Sequence, residues 1–131
     1  MKTCAPLLLV FALSILSIKC STEKTSSVNH SSIKFLEDTY VFGDIPINKP
    51  ATHDFWFVNS GTAPLIITGA STSCSCDVAI ASTDKEIMPN DSGWIHYTYN
   101  APHYGAFNKT ISVTTNSSSG VITLWAKGFV K

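Results

Sequence analysis

From Ile33 to Val130 the chain is written in short runs of β-branched and aromatic residues, each cut off by Gly, Pro, Asn or Asp. Beyond residue 32 no stretch repeats its apolar residues at helical period, whereas several alternate at a period of two. Pieces of this kind reach a core by packing the apolar faces of sheets against each other. The expected strands are Ile33–Glu37, Tyr40–Phe42, His53–Asn59, Leu65–Gly69, Cys76–Ala81, Gly93–Tyr99, Lys109–Thr115 and Val121–Val130. Turn signals at Gly43-Asp44, Asn48-Lys49-Pro50, Ser60-Gly61, Pro89-Asn90-Asp91 and Asn116–Gly120 separate them. The reading is an all-β, immunoglobulin-like sandwich of about seven to eight strands.

Alternation also assigns the faces. Phe55 and Phe57 share one side of their strand, and Trp56 and Val58 share the other. Ile95, Tyr97 and Tyr99 oppose Trp94, His96 and Thr98, while Ile122, Leu124, Ala126 and Gly128 oppose Thr123, Trp125 and Lys127. Polar neighbours put the faces of Trp94 and Trp125 outside, and Trp56 is ambiguous beside Val58. Trp94, Trp125 and His96 are therefore candidates for a partner surface, unless loops or the N-terminal tether cover them.

Ahead of the domain, Lys2 precedes an apolar run from Ala5 to Ile18 that ends at Lys19-Cys20-Ser21. A charged start and an apolar core of this length mark an export signal. As a helix the run would span roughly 21 Å, short of a hydrocarbon layer of about 30 Å. Residues 1–19 are expected to be the signal peptide, 20–32 a flexible tether and 33–131 the domain. Cys20, followed by Ser21-Thr22-Glu23, resembles the acylated cysteine of bacterial lipoproteins, although Lys19 stands where a small residue is usual. The polar segment Ser21–Ser32 suits a tether because it cannot bury enough surface to offset its ordering entropy. The expected location is the cell envelope through a lipid anchor, or the periplasm or medium without one.

Composition narrows the partners. The chain holds no Arg, and beyond Lys19 its seven Lys face nine Asp plus Glu. Without a basic cluster it cannot neutralise many phosphates, so nucleic acid is not an expected partner. Neither a phosphate-binding Gly loop nor a nucleophile elbow occurs. Adjacent Glu37 and Asp38 read as a solvated edge. No enzyme activity and no cofactor are expected. The expected partner is a protein or a glycan.

With Cys4 in the signal and Cys20 at its end, Cys74 and Cys76 remain. In an extended strand their Cα atoms would lie about 6.5 Å apart, so a bond between them requires the chain to turn. The alternatives are a disulfide, a redox pair, pairing with another chain, or two thiolates for copper or zinc with His53, His96 or His103 as further ligands.

An ordered set of motifs runs through the domain. Phe42-Gly43-Asp44-Ile45 is followed by Phe55-x-Phe57-x-Asn59-x-Gly61, Pro64-Leu65-x-Ile67, Ser73-Cys74-Ser75-Cys76 and Ile87-x-Pro89. Gly105-x-Phe107-x-Lys109-x-Ile111-x-Val113 and Leu124-x-Ala126-x-Gly128-x-Val130 close it. The series resembles the bacterial family called domain of unknown function 1573, an immunoglobulin-like module akin to the ASH and major-sperm-protein domains. Ser75 and Asp77 stand where that family usually has Gly and Thr. The resemblance implies the sandwich fold and an exported or envelope-attached protein, without implying an activity.

Overall fold

The computed structural model describes residues 28–131 apart from Asp84. Eight strands follow in order: β1 (Ile33–Phe35), β2 (Thr39–Ile45), β3 (Ala51–Asn59), β4 (Ile67–Thr72), β5 (Asp77–Ala81), β6 (Ser92–Tyr99), β7 (Gly105–Thr115) and β8 (Val121–Val130). They form two four-stranded sheets, ordered β1-β3-β6-β5 and β2-β8-β7-β4. Neighbours are antiparallel except β2 and β8, which run parallel. The all-β immunoglobulin-like sandwich is therefore as the alternation predicts.

The inward faces meet as expected from the period of two. Phe55 and Phe57 on β3 and Ile95, Tyr97 and Tyr99 on β6 pack against Ile111 and Val113 on β7 and Leu124 and Ala126 on β8. Each of these side chains is buried. Full burial is worth roughly 1.5–3 kcal/mol for a large apolar side chain, and this shared core holds the two sheets together.

The structure extends several predicted strands. β2 continues to Ile45, past the expected break at Gly43-Asp44. The pairing with β8 gains one extra residue between Val41 and Asp44, a bulge in which Gly43 takes φ 71°. The glycine thus bends a strand that the sequence reading ended there. β7 begins at Gly105 instead of Lys109, and β4 begins at Ile67 because Leu65 joins Ile87 in an isolated bridge.

The turn at Asn59-Ser60-Gly61 has a different cause from a left-handed backbone. Gly61 is not among the residues of positive φ. A Cβ at Gly61 would collide with the carbonyl of His30 and crowd the amide of Ser32. His30–Ser32 is strapped across this turn by Thr62 N and Ala63 N, which donate to His30 O, and by Ser60 N, which donates to Ser32 O. The end of the expected tether is thus docked on the domain. The predicted signal peptide, Cys20 and residues 21–27 of the tether lie outside the described residues.

Asn59 anchors the same corner from inside. Its side chain is fully buried, yet Nδ2 donates to the carbonyls of Ala63 and Ile87 and Oδ1 accepts from Gly61 N, each at 2.9 Å. A buried amide tolerates such a place only when its polar atoms are paired.

Candidate functional site

The outer face of the β1-β3-β6-β5 sheet collects the side chains left over by the core alternation. Trp56 on β3 and Trp94 on β6 are direct cross-strand partners. Their rings lie 5.1 Å apart between centroids, tilted by 47°, and they remain 44% and 38% exposed. The ambiguity over Trp56 is thus resolved outward, with Val58 half-buried on the same face. Val78 and Ile80 on β5 extend the exposed apolar surface.

Beside the tryptophans is a cleft of about 340 Å³ lined by Glu37, Thr52, His53, Asp54, Trp56 and His96. Two imidazole–carboxylate pairs shape it. His96 Nδ1 meets Asp54 Oδ1, its cross-strand partner, at 2.5 Å, and His53 Nε2 meets Glu37 Oε1 at 2.5 Å. His53 is also stacked on Tyr40, with centroids 3.5 Å apart, which fixes its ring from the second sheet. Such pairs supply hydrogen-bond acceptors and donors held at fixed positions.

Of the three candidate surface residues, Trp94 and His96 share this face and Trp125 does not. Trp125 lies on β8, in the other sheet, with Lys127 Nζ 5.8 Å from its ring centroid. The outward faces of two packed sheets point in opposite directions, so one small ligand cannot touch both. Glu37, Asp54 and Thr52 complete the cleft and were missed by the sequence reading. Asp54 and Thr52 share the parity of Trp56, and that parity was the available signal.

Cys74 and Cys76 sit in the connection that leaves β4 for β5, from one sheet to the other. Their sulfurs are joined in a disulfide with the Cα atoms 5.2 Å apart. The chain turns there: Asp77 N donates to Cys74 O and Thr72 Oγ1 donates to the same carbonyl. A bond across so short a loop restrains the unfolded chain by only about 1.5 kcal/mol, against about 3 for a loop of 15 residues. Bonded to each other, the sulfurs offer no thiolate, so the pair as found does not favour the copper or zinc reading. His53 and His96 are engaged with Glu37 and Asp54. Among the described residues, the acid that gathers with the cysteines is Asp77.

Asp77 is itself unusual. It opens β5 on the inward side, in step with Ala79 and Ala81, and is only 5% exposed. Oδ1 lies 3.2 Å from Cys76 Sγ, and Oδ2 has no hydrogen-bond partner among the described residues. Burial holds its carboxyl above the ordinary carboxylate range, while nearby Tyr97 and Lys109 pull it partly back. The Tyr97 hydroxyl, equally buried, is pushed well up by burial and then by Asp77.

A two-sheet, immunoglobulin-like sandwich that carries a polar-aromatic cleft and a short disulfide defines the class of this protein. Residues 33–130 match the family described as a protein of unknown function, DUF1573, and the chain belongs to that family. No curated protein matches it by sequence. Among solved structures it is similar to a protein of unknown function from Porphyromonas gingivalis W83, at 14% identity and TM-score 0.69. That match covers 83% of this chain and 51% of the other, so the chain spans about half its relative's length. It is also similar to the ASH/PapD-like domain 7 of human CEP192, at 7% identity and TM-score 0.64, over 78% of this chain and 87% of that one. A third similarity, to the Vibrio cholerae VesB protease, has 15% identity and TM-score 0.59 over 79% of this chain and 32% of the protease. At these identities the likenesses concern the fold alone.

Proposed function

We propose that this protein is a binding module, exported and held at the cell envelope or released from it, that captures a glycan on the outer face of its β1-β3-β6-β5 sheet without catalysing a reaction on it. The observation that carries the reading is the pairing of exposed Trp56 and Trp94 beside a cleft of fixed acceptors and donors. Flat indole rings suit the apolar faces of sugar rings, and Asp54, Glu37, Thr52 and His96 suit their hydroxyls. No Lys or Arg lines the cleft, which favours a neutral saccharide over an acidic one. Exposed aromatic side chains on one sheet face also suit a protein partner, and the experiment distinguishes the two.

The test is tryptophan fluorescence during titration with neutral oligosaccharides from bacterial envelopes. Trp56→Ala and Trp94→Ala should abolish a saturable response, whereas Trp125→Ala should keep it. Equal binding by all three variants, or no response of the unaltered protein to any saccharide, would remove the glycan reading.

A further inference from the structure

The Cys74–Cys76 bond is poorly suited to stapling the fold, because its loop is too short to restrict the unfolded chain much. Its surroundings are chemically specific. The backbone amide of Cys76 points at Cys74 Sγ from 3.2 Å, a donor that would stabilise a thiolate there. Cys76 packs against the hydrophobic core, and Asp77 Oδ1 approaches its sulfur to 3.2 Å. A buried carboxylate oxygen without a partner is costly, and a catalytic or redox role is one recognised reason for keeping one.

We propose that Cys74 and Cys76 form a reversible thiol–disulfide centre that oxidises a pair of cysteines in a protein substrate, with Asp77 transferring the proton of Cys76. A substrate thiolate attacks Cys74 Sγ. A substrate–Cys74 bond forms, the Cys74–Cys76 bond breaks, and Cys76 leaves with the electron pair and takes a proton from Asp77. The second substrate thiolate then attacks the substrate sulfur of the mixed disulfide and releases Cys74 as a thiolate facing the Cys76 amide. Two electrons pass from the substrate to the protein, and the substrate's two thiol protons go to solvent when its thiolates form. The protein takes up two protons from solvent, one at Cys76 by way of Asp77, which is then reprotonated, and one at Cys74 directly. A low-molecular-weight disulfide such as oxidised glutathione returns the pair to its starting state by the reverse exchange.

Geometry also explains why Asp77 can serve. Its burial raises the proton affinity of the carboxyl and brings it closer to that of a thiol. The groups facing it are Tyr97 and Tyr99 on β6 and Lys109 on β7, and Lys109 supplies the nearby positive charge.

The experiment uses the full chain, a reduced dithiol peptide and maleimide trapping read by mass spectrometry. The folded protein should oxidise the peptide stoichiometrically, recover with oxidised glutathione and keep its β-type circular dichroism throughout. Asp77→Asn should slow the exchange by about 100-fold, the lower end of what a positioned proton-transfer group supplies, and should remove an acidic inflection from the pH–rate profile. A bond that opens only when the protein is unfolded in denaturant would overturn the proposal. So would an Asp77→Asn variant that exchanges at the unaltered rate with the same profile. If that variant does not fold, the unaltered protein is compared with an oxidised peptide spanning residues 73–78, and coincident pH profiles overturn the proposal in its place.

Discussion

At the scale of single residues, two buried polar side chains carry consequences out of proportion to their size. Asn59 satisfies three polar groups at the corner where β3 ends and the Leu65–Ile87 bridge lies. Asn59→Ala would leave Ala63 O and Gly61 N without their partner and take one of two donors from Ile87 O, which keeps Leu65 N, and should cost about 2–4 kcal/mol in denaturant unfolding. Asp77 gives a pH signature. Its folded carboxyl binds a proton more tightly than the ordinary value of 3.8. The folded state is therefore favoured at low pH, and this contribution fades as pH rises through the folded carboxyl's range. Relative to Asp77→Asn, the melting temperature of the unaltered protein should fall as pH rises from about 4 towards neutrality. A difference that stays constant with pH would contradict the assignment. In the sequence, Asn59 reads as the end of a strand before the Ser60-Gly61 turn, and Asp77 as a departure from a family pattern. The structure puts Asp77 inward, in step with Ala79 and Ala81, and the pairing of β5 with β6 shows what surrounds it.

At the scale of elements, strand parity separates residues that hold the fold from residues free to bind. Phe57 and Trp56 are neighbours in β3, one buried and the other 44% exposed. Phe57→Ala should cost about 3–5 kcal/mol, because it empties a packed core site. Trp56→Ala and Trp94→Ala should each cost about 1 kcal/mol or less, the worth of one aromatic pair at a surface. Thermal or chemical melts of the three variants check this contrast, and equal losses would mean that the tryptophans belong to the core. The faces were legible in sequence because a period of two admits only two sides. Strand ends were less so. β2 runs through Gly43 by a bulge, and the docking of His30–Ser32 on Gly61 joins segments far apart in the chain. Local propensity does not record either event.

At the scale of the whole molecule, attachment and fold are separate questions with separate tests. The proposed lipid anchor depends on Cys20 alone, so Cys20→Ser should abolish labelling by a fatty acid and move the protein from the membrane to the soluble fraction. The melting temperature should not change, because the domain core lies between residues 45 and 130. Persistent labelling of Cys20→Ser would overturn the anchor. The chain by itself determined the class of architecture, the inward and outward faces and the family, since each follows from residue type and spacing along one strand. The tertiary structure alone decided which faces meet. It put Trp56 beside Trp94 but Trp125 on the opposite side, closed Cys74 onto Cys76, and set a buried carboxyl against their bond. Those outcomes depend on which strands become neighbours and where the chain crosses between sheets, and non-local pairing of this kind leaves no periodic trace in sequence.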